Sequence, residues 1–408
     1  MPAEGTGRAS PWRAPSAAGL SLCSRRGVAR YTSAVRFDYD VIIVGGGPAG
    51  SAAALRLAAS RRRVLLLDRA EFPRDKPCGG GIVREADRFL ALLRVRPRVP
   101  SVRVDRIEFR YPGGRSVQRG RGLFRVVRRI EFDAALLDAA GARGARIRQG
   151  ERVVAVGRVR GGVDVVTTSG QYAAPVVIGA DGARSVVRRT LVDPVEGDRF
   201  VALELLTPGG AAGAMRRGAL FDFRPAAVGL RGYYWEFPVR CGAQAAVNRG
   251  IGGNAWRSGT PPRRVFEQQL AADGLRLTDG VLSGATAPLY DPGRPQSAPH
   301  VLLAGDAVGI DPWFGEGISV ALGTGILAAD AAAEGLAADN LRFADHRRRI
   351  RDSAVGWSLR RGRATARAFY RAAPVPNGLA IWLGRSAGSP EHVRPPTSPP
   401  PRSAAGLT

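Results

Sequence analysis

The sequence predicts an α/β fold that combines a Rossmann-type nucleotide-binding domain with a second domain built on an antiparallel sheet. Three observations support this prediction. Residues 39–68 contain an apolar strand, a glycine-rich turn, an alanine-rich helix and a second strand that ends in an acid. Residues 176–188 and 300–318 again lead from an apolar strand through a turn into a helix start. Residues 100–119 alternate apolar and polar side chains around Pro-Gly-Gly, a pattern typical of a β-hairpin.

The first segment carries a dinucleotide-binding pattern, Gly45-x-Gly47-x-x-Gly50, directly after the strand 41–44. In this pattern the first glycine permits the tight turn, the second lets a pyrophosphate approach the backbone, and the third lets helix and strand pack closely. Asp68 ends the second strand and is placed to bind ribose hydroxyls, which favours FAD or NAD over NADP. The candidate binding residues of this segment are Gly45, Gly47, Pro48, Ala49, Gly50, Asp68 and Arg69.

Two further segments follow the same strand–turn–helix scheme. Asp181 and Gly182 follow an apolar strand, and residues 305–318 read GDAVGIDPWFGEGI after the strand HVLLAG. Such a turn presents free backbone N–H groups and the positive end of a helix dipole to an electron-rich ligand. A surface turn is the alternative interpretation of the Asp-Gly pair, because this dipeptide is common in turns.

The three motifs in this order resemble the glutathione-reductase-like flavoproteins of the para-hydroxybenzoate hydroxylase class. The resemblance implies that FAD is the cofactor, with Asp181 and Gly182 near the pyrophosphate and Asp306 on the ribityl chain. The segment RRIEFDAAL also matches the class and implies that Arg129 contacts the cofactor, although an exposed arginine at a helix start is an equal alternative. The turn that would face the flavin consists of Gly315, Glu316, Gly317 and Ile318.

Two shorter motifs, DKPCGGG at 75–81 and YYWEFP at 233–238, narrow the resemblance to the geranylgeranyl reductase family. These flavoenzymes saturate isoprenoid double bonds, and the resemblance covers roughly residues 37–350. It implies four catalytic candidates, Lys76, Cys78, Tyr233 and Trp235. With Phe237, the two aromatic candidates are expected to line an apolar channel, or alternatively to be core aromatics of a strand. Cys78 is expected to donate a proton or set the polarity near the flavin, with an inert buried thiol as the alternative.

The predicted function is therefore reduction of carbon–carbon double bonds in a polyprenyl substrate by hydride from reduced FAD. NAD(P)H or a ferredoxin-like donor is expected to supply the electrons. An FAD-dependent aromatic monooxygenase remains an alternative because it uses the same scaffold. A flavin-dependent halogenase is a weaker alternative, since residues 233–238 match its W-x-W-x-I-P pattern poorly. A non-enzymatic flavin-binding protein is the third class that remains open.

The chain is strongly basic, with a net charge of +26, yet Lys76 is its one lysine. Zinc-ligand spacing, RNP-like segments and a helix-turn-helix are absent from the sequence, so we expect no nucleic-acid partner. Two explanations remain: peripheral docking on an anionic membrane that holds the isoprenoid substrate, or a coding bias spread over the surface. Three cysteines and three histidines show no metal or disulfide spacing, which fits a cytoplasmic protein. The sequence does not define an oligomeric state.

The motifs define the expected domain organisation. Residues 1–36 are predicted to be disordered, targeting-like or upstream of the true start, and 386–408 to be a disordered tail. No run of about 18 apolar residues suggests a membrane span. The flavin domain is expected to comprise residues 37–190, with 86–120 contributing to the substrate sheet, and residues 291–345. The intervening 191–290 form the predicted substrate domain, and 346–385 a C-terminal helical segment.

Overall fold

The computed structural model describes residues 37–208, 218–256 and 261–371, which form three sheets and seven α-helices. The predicted segments 1–36 and 386–408 lie outside the described residues. The helices, numbered in chain order, are α1 (Pro48–Ala58), α2 (Arg84–Leu92), α3 (Arg129–Ala142), α4 (Pro262–Ala271), α5 (Ile318–Ala337), α6 (His346–Asp352) and α7 (Ala354–Arg371).

A six-stranded, mostly parallel sheet forms the nucleotide-binding half, as predicted. Its strands are β1 (Val41–Val44), β2 (Val64–Leu67), β6 (Arg146–Arg148), β10 (Val176–Gly179), β16 (Ser297–Ala298) and β17 (Val301–Leu303). Their order is β16-β17-β10-β1-β2-β6, and β1, β10 and β17 are parallel neighbours. The glycine-rich turn, the Asp-Gly turn and the Gly-Asp turn directly follow these three strands. Because the carboxyl ends of parallel strands share one edge, the three turns meet there.

The four central strands, β1, β2, β10 and β17, are short apolar runs that are buried on both faces, whereas the edge strands β6 and β16 are partly exposed. One face packs against α1, α3 and α5. The opposite face packs against α6, α7 and a small antiparallel sheet. The strands of that small sheet are β7 (Val153–Val159), β8 (Gly162–Thr167) and β9 (Gln171–Ala174).

The helix α5 packs closely on α1 beneath the three turns. A Cβ at Gly325 would lie 2.3 Å from the carbonyl oxygen of Ala49, so this contact requires a glycine. By length and composition α5 is apolar enough to cross a membrane, but 67% of its apolar window is buried inside the protein. The sequence shows no continuous apolar run here because Ser319, Thr324 and Asp330 interrupt it. Its packing on α1 gives it the position of a core helix.

An eight-stranded sheet forms the second half of the molecule. Its strands are β3 (Gly81–Val83), β4 (Ser101–Tyr111), β5 (Gly114–Val127), β11 (Arg199–Pro208), β12 (Ala219–Asp222), β13 (Leu230–Cys241), β14 (Gln244–Trp256) and β15 (Val281–Pro288). Their order is β15-β11-β14-β13-β12-β4-β5-β3, and all neighbours are antiparallel except β12 and β4. The predicted hairpin is present as β4 and β5. β5 continues to Val127, seven residues past the expected boundary at 120.

The segment after the Asp-Gly pair differs from the helix that the sequence suggested. It forms a 3-10 turn at Gly182–Arg184 and a short π-helical turn at Arg188–Val192. The carboxylate of Asp181 accepts hydrogen bonds from the backbone N–H groups of Val186 and Val187, at 2.6 and 3.3 Å, which hold the chain in this tight path.

Candidate functional site

A cavity of about 420 Å³ lies between the three turns and the inner face of the eight-stranded sheet. We call the two sides the nucleotide wall and the aromatic wall. The nucleotide wall consists of Gly47, Pro48, Ala49, Gly182, Asp306, Gly315, Glu316, Gly317 and Ile318. The aromatic wall consists of Phe109, Phe124, Phe221, Tyr233, Trp235 and Phe237. Lys76, Cys78 and Arg129 also line the cavity, so it contains all four catalytic candidates.

The three glycines of the first turn have different roles in the structure. Gly45 has a positive φ of 105°, and a Cβ there would lie 2.3 Å from the carbonyl oxygen of Ala180. A Cβ at Gly50 would lie 1.8 Å from the carbonyl oxygen of Gly45. At Gly47 the nearest atom is Arg74 Nη2, at 3.6 Å. Packing therefore requires two of the glycines, while the third leaves its backbone open to the cavity.

The start of α1 suits an anion. Its N-cap residue, Gly47, offers no side-chain hydrogen bond, and the first turn contains no acid. Helix N-termini of this kind attract phosphate through their N–H groups and dipole. The guanidinium of Arg74 lies next to the turn and adds positive charge. These features fit the pyrophosphate of FAD.

Asp68 lies at the end of β2 and does not line the cavity. Its carboxylate accepts the backbone N–H of Gly46 at 2.6 Å and that of Ala70 at 2.8 Å. The carboxylate is thus fixed beside the glycine turn, where the ribose of a dinucleotide would reach it. Arg69 is exposed and lies outside the cavity lining.

Asp306 and Lys76 form an ion pair inside the cavity, with 2.9 Å between Nζ and Oδ2. Burial alone would raise the pKa of Asp306, but the Lys76 ammonium holds it below its usual value. The two residues are 230 positions apart. The pair therefore ties the segment DKPCGGG at 75–81, which we call the CGG turn, to the Gly-Asp turn. The ionised carboxylate is available to hydroxyl groups of a ribityl chain.

The Glu316 side chain caps α5 rather than pointing freely into the cavity. Its carboxylate accepts the backbone N–H of Ser319 at 2.8 Å. Burial raises the pKa of Glu316, and the hydrogen bonds from Ser319 oppose this rise. Gly315 has a positive φ of 64° and packs against the ring of Phe200 from β11. The turn that would face the flavin therefore rests on the second sheet.

Arg129 is buried, which excludes the exposed helix start that sequence analysis left open. Its guanidinium makes a bidentate ion pair with Asp133, with two N–O distances of 2.7 Å. Asp133 also pairs with Arg74, at 3.0 Å. The carboxylate of Asp133 keeps the pKa of Arg129 above its usual value despite burial. The cluster brings two arginines and one acid to the rim of the nucleotide wall.

The CGG turn and the YYWEFP strand both line the cavity and contact each other directly. A Cβ at Gly79 would lie 3.0 Å from the ring of Phe237 and 3.4 Å from Trp235 Nε1. Gly80 has a positive φ of 72°, and its N–H donates to the Cys78 sulfur at 3.5 Å. The CGG turn therefore packs directly on the YYWEFP strand, and glycines at these positions allow the close approach.

Two polar contacts fix the aromatic wall. The Tyr233 hydroxyl donates to the carbonyl oxygen of Phe314 at 2.5 Å, which links β13 to the turn before α5. Trp235 Nε1 donates to Asn248 Oδ1 at 2.8 Å. The indole of Trp235 also packs on Gly250, where a Cβ would lie 2.1 Å from the ring. The wall is a rigid apolar surface with few free polar atoms.

Sequence analysis missed four residues of the site: Arg74, Asp133, Glu204 and Asn248. The spacing of Arg129 and Asp133, four residues apart on a helix, could have indicated their ion pair. Glu204 alternates with Phe200 and Ala202 along one strand, a pattern that indicates a shared face. No local sequence pattern indicates a role for Asn248, because its partners lie on β11, on β13 and in the CGG turn.

The comparisons with known proteins agree with this geometry. Residues 38–206 match the family model described as FAD binding domain. The chain is 32% identical over 320 residues to the menaquinone reductase of Mycolicibacterium smegmatis. This alignment covers 72% of this chain and 76% of that protein. It is 31% identical over 310 residues to the geranylgeranyl diphosphate reductase of Rhodobacter capsulatus, with 72% and 75% covered.

Solved structures show the same fold. The geranylgeranyl bacteriochlorophyll reductase-like protein of Thermoplasma acidophilum superposes with a TM-score of 0.70 at 21% identity, covering 86% of this chain and 91% of that one. The halogenase PltM, solved with phloroglucinol and FAD, superposes with a TM-score of 0.62 at 19% identity, covering 81% and 76%. At these identities the likeness concerns the fold alone.

Proposed function

Because the chain belongs to the geranylgeranyl reductase family of FAD-dependent oxidoreductases, we propose that it reduces carbon–carbon double bonds of a polyprenyl substrate. The observation that carries this proposal is the cavity, which joins a phosphate-compatible glycine turn to an aromatic wall. When bound, reduced FAD supplies a hydride to one alkene carbon. The substrate would be a hydrophobic isoprenoid chain, since the aromatic wall offers apolar contact and little hydrogen bonding.

In this proposal the nucleotide wall holds the cofactor. The N-terminus of α1 and Arg74 would bind the pyrophosphate, Asp68 the ribose and Asp306 the ribityl chain. The backbone of Gly315 to Ile318 would face the flavin. An unactivated alkene has no oxygen to polarise, so the aromatic wall would act by positioning the chain and excluding water.

The direct test is mass spectrometry of lipids from cells that express the protein. A prenyl reductase adds the mass of two hydrogen atoms for each double bond that it reduces. The control is a strain expressing the Asp306→Ala variant, in which FAD binding should be weakened. Unchanged prenyl lipids, together with hydroxylation of a phenol in air by the purified protein, would replace this proposal with the monooxygenase alternative.

We propose NAD(P)H or a ferredoxin-like protein as the electron donor. Anaerobic mixing of the oxidised holoprotein with NADH, NADPH or a reduced ferredoxin should bleach the flavin absorbance with one of them. Dithionite provides the control for a reducible flavin. If only dithionite bleaches the flavin, neither class of donor applies.

Peripheral docking on an anionic membrane belongs to the same proposal. The chain carries a net charge of +26, and Trp357 on α7 is 56% exposed, with the Arg361 guanidinium 5.2 Å from its ring centroid. Indole and arginine side chains are suited to a lipid headgroup region. Flotation with anionic vesicles should fall steeply from low to physiological salt. Equal binding to neutral and anionic vesicles would instead favour coding bias as the origin of the charge.

A further inference from the structure

Glu204 lies on the cavity side of the eight-stranded sheet. Phe200, Ala202 and Glu204 alternate along β11 and all line the cavity. Leu203 and Leu205, on either side of Glu204, point to the opposite face, where they pack with α4. The alternation places one carboxyl group on the cavity face of the sheet that carries the aromatic wall.

Hydrogen bonds connect Glu204 to both family motifs. Asn248 Nδ2 donates to Glu204 Oε2 at 3.3 Å and to the backbone oxygen of Cys78 at 3.4 Å. The same amide accepts the indole N–H of Trp235. On its other side, the Ser283 hydroxyl donates to Glu204 Oε1 at 3.1 Å. The carboxyl group is therefore fixed two hydrogen bonds away from the CGG turn and the YYWEFP strand.

The acids of the nucleotide wall have other partners. Asp306 is held as a carboxylate by Lys76, and a carboxylate has no proton to give. Glu316 accepts hydrogen bonds from the backbone and side chain of Ser319 at the start of α5. Neither group is arranged to transfer a proton to a molecule on the aromatic wall.

The two other candidates on the aromatic side are also engaged. The Tyr233 hydroxyl donates its hydrogen to the carbonyl oxygen of Phe314. The Cys78 sulfur accepts a hydrogen bond from the backbone N–H of Gly80, and Cys78 belongs to the turn at 75–81 rather than to the aromatic wall. Among the described residues that line the cavity, Glu204 is the carboxyl group contributed by the eight-stranded sheet.

We propose that Glu204 is the acid that protonates the alkene, with Asn248 as its positioning residue; this rests on the proposed reductase function. As the π bond breaks, one carbon receives the hydride supplied by the reduced cofactor. The other carbon forms a bond to the proton of the Glu204 carboxylic acid, and the O–H electrons stay on the carboxylate. Glu204 then regains a proton from solvent.

The surroundings of Glu204 favour the protonated form that this step needs. Burial raises the pKa of the Glu204 carboxyl, and the hydrogen bonds from Asn248 and Ser283 oppose the rise. The register partners of Glu204, Gly250 on β14 and Ser283 on β15, are uncharged. The negative charge of Asp75 raises the pKa of Glu204 further, while a hydrogen bond at the backbone of Cys78 lowers it. A serine hydroxyl both donates and accepts, so Ser283 remains a partner when Glu204 is protonated.

The test compares Glu204→Gln with Glu236→Gln in the holoprotein. Glu236 is the matched control because it is a half-buried acid on β13 whose pKa burial also raises. It lies on the opposite face of the sheet, bonded to Tyr234 and Arg249. With dithionite-reduced protein and a polyprenyl substrate, Glu204→Gln should slow flavin reoxidation by about 10²–10⁴-fold. Glu204→Asp should recover part of the rate. Wild-type reoxidation by Glu204→Gln, or an equal loss in Glu236→Gln, would overturn the assignment.

A second measurement does not depend on turnover. The infrared difference between wild type and Glu204→Gln should contain a carboxylic acid C=O band that titrates above the ordinary glutamate range of about 4.3. A band that titrates at or below that range would overturn the assignment even if activity falls. Should wild type reduce no polyprenyl chain, the proposed function fails, whereas the infrared band still reports on the state of Glu204.

Discussion

The two walls of the cavity are built in different ways. The nucleotide wall presents backbone N–H groups and fixed charges from three turns that follow neighbouring parallel strands. The aromatic wall presents side chains from β4, β5, β12 and β13, which neighbouring strands bring together. A ligand held by the first wall contacts main chain, and one held by the second contacts rings. Under the proposed function the two walls would bind different molecules, a polar cofactor and an apolar substrate.

The same difference explains what the sequence could predict. Each turn of the nucleotide wall is a contiguous motif whose geometry follows from glycines at fixed spacing. The sequence alone therefore predicted the turns that bring Gly47, Gly182 and Asp306 to the cavity. The aromatic wall depends on strand register. Phe109 and Phe221 are register partners in β4 and β12, which are more than 100 residues apart in the chain, and no local pattern predicts that pairing.

The residues between the walls were the hardest to predict. Lys76 and Cys78 were found by resemblance, but the sequence did not indicate that Lys76 pairs with Asp306 or that Cys78 accepts the N–H of Gly80. Asn248 bridges Trp235, Glu204 and Cys78, which come from three separate segments. Such a bridging amide is defined by its three-dimensional neighbours alone. Variants of the nucleotide wall should change FAD binding, and variants of the aromatic side should change transfer to the substrate.

The largest effect is expected from Gly50→Ala in the nucleotide wall turn. Its Cβ would lie 1.8 Å from the backbone oxygen of Gly45, so main chain must move. Overpacking of this kind costs about 1–3 kcal/mol and sometimes more. We expect a lower melting temperature and protein purified without FAD, measured by thermal denaturation and by flavin absorbance.

Gly47→Ala is the matched control for that variant. Its Cβ would make only an ordinary van der Waals contact, 3.6 Å from Arg74 Nη2, so the melting temperature of the cofactor-free protein should be unchanged. FAD affinity should nevertheless fall, because the methyl group occupies the space through which the pyrophosphate approaches. Unchanged FAD affinity in Gly47→Ala would mean that the cofactor does not lie against this turn.

Asp306→Ala should weaken FAD binding by about 1.5–3 kcal/mol, the usual loss for a charge-assisted hydrogen bond. The variant also leaves Lys76 without its partner. Isothermal titration of the cofactor-free protein with FAD measures the change. Asp306→Asn keeps a hydrogen-bonding side chain without the charge, so its FAD affinity should lie between those of the wild type and Asp306→Ala. A tightly bound, yellow Asp306→Ala protein would contradict the role of the nucleotide wall.

Cys78→Ala is expected to have a smaller effect, confined to the substrate side. The sulfur accepts the N–H of Gly80, so its removal loosens the CGG turn against the aromatic wall. We expect normal FAD content and a drop of about tenfold, or 1.4 kcal/mol, in reoxidation by a polyprenyl substrate. Cys78→Ser should retain most of the rate, and Cys241→Ala, the other free cysteine among the described residues, should retain all of it. A loss as large as that of Glu204→Gln would make Cys78 the acid instead.

The smallest effect is expected from Tyr233→Phe, which removes the direct hydrogen bond between the two walls. The hydroxyl donates to the carbonyl oxygen of Phe314, and its loss should lower the free energy of unfolding by about 1 kcal/mol. Burial raises the pKa of Tyr233 well above its usual value, so the hydroxyl stays protonated and serves as a structural donor. Urea denaturation measures the stability, and flavin reoxidation measures the transfer rate, which should change only a few-fold.

Tyr234→Phe is the control for this last variant. Its hydroxyl bonds Glu236 on the opposite face of the sheet, so stability should fall to a similar extent while both walls keep their contacts. If Tyr233→Phe slows transfer by hundreds-fold at normal FAD content, the hydroxyl takes part in the chemistry. The contact between the walls would then be a functional element of the site, and the separation of cofactor and substrate effects would no longer hold.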